Sequence, residues 1–259
     1  MPTVGISQTL VSGSYSYAVS GTAAQKNNMP AFEITWGDAA RFCNWLDNGQ
    51  PTSGTEAAGT TETGAYTLSG DTTSLMETRN AGAAYFIPSE NEWYKAAYFD
   101  PTLNGGSGGY WQYPTKSNNP PINILSSTAT NNANFYDYFG TGTELLNGQP
   151  YTDTTDRLTP VGSFSESPGP WGTYDMSGDV WQWNEANMPG GYRGVRGGSW
   201  SEYSGFMASP SRSGSPPTLE NYGYGFRVAS TAVVPEPGSL ALLLAGAAAL
   251  GIWRLRRKT

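Results

Sequence analysis

One short stretch, residues 172–183 (GTYDMSGDVWQW), constrains the fold more than any other part of the chain. Its glycines permit turns and close approach of backbone segments. Trp181 and Trp183 lie two residues apart, so on a strand both indoles would share one face. Asp175 and Asp179 bracket a Met-Ser-Gly turn, where carboxylates and carbonyls can converge on a hard cation such as Ca²⁺. The alternative is that the two tryptophans only anchor this stretch in the hydrophobic core, while both carboxylates are solvated.

The composition indicates a folded, loop-rich protein rather than a helical bundle. The chain has 259 residues, including 33 Gly and 18 Pro, and only 14% of its residues are charged. Gly and Pro favour turns. A disordered chain would not carry 9 Trp and 16 Tyr. The length is sufficient for one sizeable domain with its own core.

The chain contains no His and a single Cys, Cys43. This excludes an intramolecular disulfide, a Cys/His zinc cluster, and Ser-His-Asp or Cys-His catalysis. A haem or a copper site built on His is excluded as well. Cys43 lies beside the apolar stripe of a predicted helix, and we interpret it as a small buried hydrophobic residue.

The distribution of charge argues against a nucleic-acid partner. The formal net charge is −7, and residues 235–259 carry four cations and one carboxylate, a net of +3, so the remainder of the chain carries −10. Nucleic-acid binding depends on Lys and Arg neutralising phosphate groups, which an acidic body cannot supply. The net negative charge outside the tail is compatible with calcium binding or with solubility outside the cell.

Two stretches predict helices, residues 35–48 and 89–99. Thr35 can cap the first helix, and Ser89 with Glu92 forms an S-x-x-E capping box for the second. In the second helix we expect the carboxylates to lie on a solvated face. In the first, the spacing of apolar residues predicts a buried stripe formed by Ala39, Phe42, Trp45 and Leu46. Strands are predicted near residues 14–19, 65–68, 192–200 and 222–229.

The C-terminal tail differs from the rest of the chain. Pro235, Glu236 and Pro237 precede an apolar run at residues 239–253 and then a basic cluster. The run is shorter than the roughly 20 residues of a full transmembrane helix, and cations after it would keep that end cytoplasmic. We expect a hydrophobic helix that contacts the membrane. The alternative is a C-terminal helix buried in the core.

Six motifs occur in one order along the chain, and together they resemble the formylglycine-generating, sulfatase-modifying factor family. The resemblance implies an α+β, C-type-lectin-like fold that is loop-rich, with short strands and two main helices, to which the tail adds a C-terminal hydrophobic helix. The motifs lie at residues 34–45, 86–97, 159–162, 174–183, 196–200 and 225–227.

The tail resembles the PEP-CTERM sorting signal of bacterial exported proteins. The matching elements are Pro235, Glu236 and Pro237, the short apolar run and the basic end. This resemblance implies membrane attachment through the C-terminal helix and processing by an exosortase-type protease. Such export requires a signal peptide, which residues 1–30 do not resemble, so we expect a truncated start.

The expected organisation has four parts. Residues 1–29 would be a clipped N-terminal part of the domain, and residues 30–230 the sulfatase-modifying-factor-like domain. Residues 231–238 would form the Pro-Glu-Pro linker, and residues 239–259 the hydrophobic helix with its basic end.

The family's oxidase chemistry is not expected in this chain. Formylglycine-generating enzymes bind copper with two cysteines that follow the Arg-Gly-Gly-Ser segment, whereas here Glu202 lies near the first of those positions and no second cysteine exists. The family's substrate groove would be bordered here by Trp181, Ser199 and Trp200, with Glu202 beside them. The alternative is that these are core aromatics with a turn serine.

The resemblance also implies two structural Ca²⁺ ions, while no copper, zinc or haem is expected. The first site would use Asn134, the carbonyls of Phe135 and Thr155, and Asp153. The second would use Asp175, the carbonyls of Gly178 and Val180, and Gln182. Because Gln182 replaces a family glutamate, the second site has less negative charge. The alternative is that Asp153 and Asp175 cap turns.

Two functions remain open from the sequence. The first is a non-catalytic surface protein, calcium-stabilised and sorted through its tail, that binds an envelope or matrix ligand such as a glycan or a protein. The second is a divergent enzyme of the same superfamily, with Glu202, Asp179 or Glu185 as acid/base groups.

Overall fold

The structure is a computed structural model that describes residues 6–11, 14–19, 28–52, 55–124, 128–136 and 158–231, the first two ranges by their backbone alone. The chain divides into two units, Met1–Ala229 and Ser230–Thr259. The first unit mixes helix with short strands. Most of the second unit, including the predicted C-terminal helix and the Pro235–Pro237 motif, lies outside the described residues, as do Asp153 and Thr155.

Helix α1 (Trp36–Asp47) begins where the sequence predicts. The side chain of Thr35 accepts from the backbone N–H of Asp38, whose carboxylate accepts in return from the Thr35 backbone, forming a capping box. The predicted buried stripe is wrong in part, because Phe42 is 42% exposed. The buried face instead carries small side chains at Ala39, Ala40 and Cys43, which leave room for the large aromatic rings of the core.

Helix α2 (Glu90–Tyr98) has the predicted Ser89–Glu92 capping box. Trp93 and Ala97 are buried as expected. The expectation of a solvated acidic face is corrected, since Glu90 bonds to Arg196 and Arg212, and Glu92 bonds to Arg79. These arginines come from other parts of the chain, so the helix is attached to the body by charge-assisted hydrogen bonds as well as by its apolar face.

The largest described sheet has four strands in the order β8-β7-β6-β9. Strand β6 (Trp181–Met188) pairs antiparallel with β7 (Tyr192–Arg196) and parallel with β9 (Tyr224–Gly225). The edge strand β8 (Ser213–Ser215) pairs antiparallel with β7. Strand β7 is shorter than predicted because Gly197 and Gly198 follow it with φ of 99° and 70°, a conformation that turns the chain out of the sheet.

The remaining elements are short. Strand β1 (Ile6–Val11) pairs antiparallel with β2 (Ser14–Val19), as predicted for the latter. Strand β4 (Phe99–Asp100) pairs antiparallel with β5 (Gly109–Tyr110) across the helical turn α3 (Leu103–Gly106). Residues 65–66 form a bend and residues 67–68 are irregular, so the predicted strand at 65–68 is absent. The other short elements are β3 (Tyr85–Phe86), β10 (Ala229–Ser230) and a 3₁₀ turn (Ser204–Met207).

The main core lies between α1 and the large sheet. Trp36, Tyr66, Trp181 and Trp183 belong to one buried cluster. The Trp36 and Tyr66 rings meet edge to face with centroids 5.2 Å apart, an arrangement that aromatic quadrupoles favour. Among the described residues, no helix is long and apolar enough to cross a membrane.

Candidate functional site

The segment before β6 is held against the 128–136 segment by a close backbone approach. Asp179 N–H donates to the carbonyl of Asn134 at 3.0 Å. Gly178 has φ of 77°, and a Cβ on it would lie 2.3 Å from the same carbonyl oxygen. Only glycine permits both the left-handed backbone and this contact. The turn that the sequence singled out is therefore fixed by residues distant in the chain.

The Asp179 carboxylate lies inside this junction. It accepts from the Asn134 side-chain amide at 2.6 Å, from Thr159 N at 2.9 Å and from Thr159 Oγ1 at 2.6 Å. Burial raises the pKa of Asp179 to about 7. Thr159 was not identified as a site residue from the sequence, although it opens the Thr-Pro-Val-Gly motif at 159–162.

The predicted groove residues come together after β7. Glu202 accepts from Trp181 Nε1 at 3.0 Å and from Ser199 N at 3.0 Å, and the Ser199 hydroxyl also donates to its carboxylate. Trp200, the residue after Ser199, donates a hydrogen bond from its backbone N–H to the carbonyl of Asp179 at 3.0 Å. Ser199 is only 1% exposed. The Glu202 carboxylate therefore connects the turn after β7 to the buried Trp181 by hydrogen bonds.

The residues predicted for the second calcium site all line one cavity of about 510 Å³. Burial raises the pKa of Asp175, one of them. Arg227 enters this cavity from the chain after β9. Its Nε donates to Gln182 Oε1 at 2.6 Å, and its NH2 group donates to the carbonyls of Tyr174, at 2.7 Å, and Asp175. Burial lowers the pKa of the guanidinium. A side-chain cation therefore lies against Gln182 Oε1, an oxygen that the resemblance assigned to a metal, and against two backbone carbonyls that it did not.

This arrangement fits calcium poorly at Gln182. Its Oε1 also accepts from Trp93 Nε1 at 2.8 Å, so the oxygen already has two N–H donors. The Asp175 carbonyl likewise accepts from Gln182 Nε2 at 2.9 Å besides Arg227. Oxygens engaged in this way have few lone pairs left for a cation. Arg227 was included in the Gly-Phe-Arg motif from the sequence, but its contact with Gln182 was not foreseen.

Of the residues predicted for the first calcium site, the structure describes Asn134 and Phe135. The Phe135 carbonyl accepts from the Asn123 side-chain amide, and a carbonyl oxygen has a second lone pair for a hard cation. Asn134 lies against Asp179, as above. Asp153 and Thr155, the other two residues of the predicted site, lie outside the described residues, so this calcium site stays a prediction. Within the described ranges, no group of three or more His, Cys, Asp or Glu could hold a metal ion.

Cys43 lies in the core, in the same buried cluster as Trp181, and not in the turn that carries Ser199, Trp200 and Glu202. It is fully buried on α1, and burial raises the pKa of its thiol to about 12. A thiolate is the form of cysteine that binds metal or acts as a nucleophile. The thiol of this chain is therefore held in its unreactive form, as the sequence interpretation of Cys43 predicted.

Glu185, the third candidate acid, belongs to a network that the sequence did not reveal. Its carboxylate accepts from Tyr66 OH at 2.7 Å and from Arg79 NH2 at 2.6 Å. Arg79 also bonds to Glu92 at 2.7 Å, and its guanidinium lies 3.5 Å from the centroid of the Phe86 ring. The network attaches the 79–86 segment to both α2 and β6.

A family model for the sulfatase-modifying factor enzyme 1-like domain matches residues 7–232, and one for the PEP-CTERM protein-sorting motif matches residues 233–258. A search of the curated proteins finds no significant match.

Solved structures with similar folds include three proteins. CarF is 22% identical, with 81% of this chain and 71% of that chain covered and a TM-score of 0.45. Treponema denticola variable protein 1 is 19% identical, with 82% and 75% covered and a TM-score of 0.48. PvdO from Pseudomonas aeruginosa is 21% identical, with 83% and 67% covered and a TM-score of 0.44. The family models, which together span nearly the whole chain, carry the assignment. The chain belongs to the family with a sulfatase-modifying factor enzyme 1-like domain, followed directly by a PEP-CTERM sorting motif.

Proposed function

We propose that this protein is an exported bacterial surface protein whose sulfatase-modifying-factor-like domain binds a ligand rather than oxidising one. The observation that carries the proposal is the location of the sole thiol. Cys43 is buried among core side chains, whereas the turn after β7 carries Ser199 and Glu202, which bond to each other. Copper–thiolate oxidation needs accessible sulfur ligands.

The sorting tail supports the first half of the proposal. A PEP-CTERM motif in general implies exosortase-type processing and membrane anchoring at the C-terminus, and this motif follows the domain without a gap. We propose that the protein is attached through the apolar run at 239–253, is processed at Pro235–Pro237, and acts at the cell surface or in the extracellular matrix.

Two measurements on the full chain test this proposal. In a bacterium that carries an exosortase, the chain expressed behind a signal peptide should reach the envelope or extracellular fraction in processed form, while the same chain with Pro235, Glu236 and Pro237 replaced by Ala should accumulate unprocessed. The purified chain, loaded with copper, should leave a cysteine in a sulfatase-derived peptide unchanged by mass spectrometry. Formylglycine in that peptide, or identical processing of both forms, would contradict the proposal.

We further propose one structural calcium ion, at the site that includes Asn134, the Phe135 carbonyl, Asp153 and the Thr155 carbonyl. The contacts of Gln182 with Arg227 and Trp93 favour this site over the second. A ligand that binds only the folded state raises the melting temperature by mass action. Calcium added after EGTA treatment should therefore raise the melting temperature of the wild type and of Gln182→Ala. The rise should be absent in Asp153→Ala, and a rise that persists there would refute this assignment.

One observation favours the second candidate function, a divergent enzyme. Asp175 and Asp179 both line the cavity of about 510 Å³, and two carboxylates that face one cavity can serve as acid and base. By contrast, Glu185 and Glu202 are not among the residues that line this cavity. If the domain is an enzyme of this kind, it should hydrolyse a member of a chromogenic ester and glycoside panel, and Asp179→Asn should abolish that hydrolysis.

A further inference from the structure

An exposed row of aromatic rings lies on the side of the domain formed by α2, β4 and β5. Phe99 forms its centre, with Tyr110 on one side at a centroid distance of 5.2 Å and Trp171 on the other at 6.4 Å. Tyr110 is 54% exposed and Trp171 is 51% exposed. We call these three residues the aromatic platform. None of them belongs to the groove or to the predicted calcium sites.

The platform is held rigidly by the backbone beneath it. Phe99 and Tyr110 are direct partners in the β4–β5 pair. Gly108 lies so close to the Phe99 ring that a Cβ on it would be 2.7 Å from the ring edge. Because these rings are ordered before any ligand arrives, binding would lose little conformational entropy.

The turn that carries Trp171 is closed on itself. Gly169 N–H donates to the Thr173 carbonyl at 2.7 Å, and Gly172 N–H donates back to the Gly169 carbonyl at 3.1 Å. The Trp171 and Phe99 rings are nearly parallel, with an interplanar angle of 25°. The Trp171 ring is therefore nearly parallel to Phe99, whereas the Tyr110 ring is tilted by 57° from it.

We propose that the aromatic platform binds a neutral, β-linked polysaccharide, with pyranose rings stacked on Tyr110 and Trp171. The C–H groups on one face of a pyranose ring are partially positive and are attracted to the negative face of an aromatic ring. Because Phe99 lies between the two exposed rings, the stacked sugar units would be separated along the polymer, which an extended β-linked chain allows. The inference rests on the proposed binding function and names its ligand class and its site.

The surroundings of the platform suit hydroxyl groups. Between β4 and β5 the exposed residues are small and uncharged, including Thr102, Asn104 and Ser107. Lys95 lies beside the rings, with its Nζ 5.8 Å from the Phe99 centroid and 6.0 Å from the Trp171 centroid. An ammonium group donates hydrogen bonds to sugar oxygens, and its positive charge disfavours a cationic ligand such as a quaternary ammonium.

Other occupants fit the platform less well. A stable protein–protein interface buries about 800 Å² on each partner, far more than two half-exposed rings offer. An acidic polysaccharide would be repelled by the net charge of −10 on residues 1–234, the total of −7 less the +3 of the tail. A neutral sugar chain needs no such large contact area and is not repelled by the negative charge.

Affinity electrophoresis of the full chain tests the proposal. Native gels would contain hydroxyethylcellulose or galactomannan as β-linked neutral polymers, dextran as an α-linked one, or alginate as an acidic one. A zwitterionic detergent without a sugar headgroup keeps the tail dispersed without competing for the platform. The wild type should be retarded by at least one β-linked neutral polymer.

The variants make the test specific. Trp171→Ala and Tyr110→Ala should each weaken binding by about fivefold or more, while Trp171→Phe should retain most of it. Tyr192→Ala removes an exposed tyrosine, 43% exposed, from the start of β7, and should bind like the wild type. Melting temperatures measured in parallel should stay within a few degrees of the wild type.

Three results of the electrophoresis would overturn the proposal. They are no retardation by either β-linked polymer, retardation that is equal in Trp171→Ala and the wild type, and retardation by alginate alone. Loss of a dimer in Trp171→Ala by size-exclusion chromatography with light scattering would also overturn it, because the platform would then join two copies of the chain. None of these results reports on export or cysteine oxidation, so they are distinct from failure of the proposed function.

Discussion

The carboxylate of Glu202 accepts a hydrogen bond from the backbone N–H of Ser199 at 3.0 Å, which closes the turn after β7. The same carboxylate accepts from Trp181 Nε1. Glu202→Gln should lower the free energy of unfolding by about 1–3 kcal/mol, because an amide NH₂ group would face an N–H or O–H donor.

Urea unfolding checks this prediction. Glu166→Gln is the matched control, since within the described part of the chain Glu166 makes only a long contact with its neighbour Ser165, at 3.4 Å, and should change stability by less than about 0.5 kcal/mol. Equal stability of the two variants would contradict the role assigned to Glu202.

Gly178 and Gly190 share a left-handed backbone but differ in their surroundings. Their φ values are 77° and 86°, yet a Cβ on Gly178 would lie 2.3 Å from the Asn134 carbonyl while one on Gly190 would meet nothing within 4 Å. Gly190→Ala should cost about 1–2 kcal/mol for the backbone alone. Gly178→Ala should cost at least about 2 kcal/mol more, because the junction with Asn134 must open.

Chemical denaturation of both glycine variants separates two costs in the free energy of unfolding. One is the contact of the added Cβ with the Asn134 carbonyl, and the other is the left-handed backbone that both variants share. If Gly178→Ala and Gly190→Ala are destabilised equally, then the approach of the 172–183 segment to Asn134 is not as tight as described.

The hydrogen bonds of Arg79 hold the pKa of Glu92 at about 2, below its usual 4.5. A carboxylate whose pKa is lowered by folding stabilises the protein above the unfolded-state pKa, and the contribution is lost as the pH falls through the folded-state pKa. Wild type should therefore be more stable than Glu92→Gln near neutral pH, with the difference disappearing between pH 4.5 and about 2.

The size of this difference should be below about 1 kcal/mol, because the Glu92 side chain is 46% exposed. Glutamine also preserves the capping box with Ser89, so the substitution removes the charge and one of the two hydrogen bonds from Arg79. Thermal unfolding at a series of pH values from 7 to 2 measures the stability difference between the wild type and Glu92→Gln. A stability difference that is constant over that range would contradict the ion pair.

The burial of Cys43 predicts slow labelling of the native protein. Reaction with a thiol reagent requires opening of the core, so the rate should be at least about 100-fold lower in buffer than in urea, as expected for a buried and protonated thiol. Ser201→Cys, at an exposed position of the turn after β7, should add one thiol that reacts at once. Rapid labelling of the wild type would show that Cys43 is accessible and would weaken the proposed function.

Local signals in the sequence determined the helices of this protein. Thr35 and Ser89 cap helices through contacts with residues three positions away, so the information is contained within one turn. The family motifs likewise lie in the sequence itself. The buried face of α1 was misjudged, because an apolar stripe does not indicate which of its members meets a neighbour. Phe42 stays exposed while Cys43 faces the core.

The tertiary structure alone decided which polar groups meet. Arg227 reaches Gln182, Arg79 reaches Glu185, and Thr159 encloses Asp179. These partners are far apart in the chain, and no periodicity or spacing relates them. The aromatic platform has the same origin, since Trp171 joins Phe99 and Tyr110 only after β4, β5 and the 169–173 turn have formed. Sequence fixes short-range geometry, whereas burial and long-range pairing depend on how the whole chain packs.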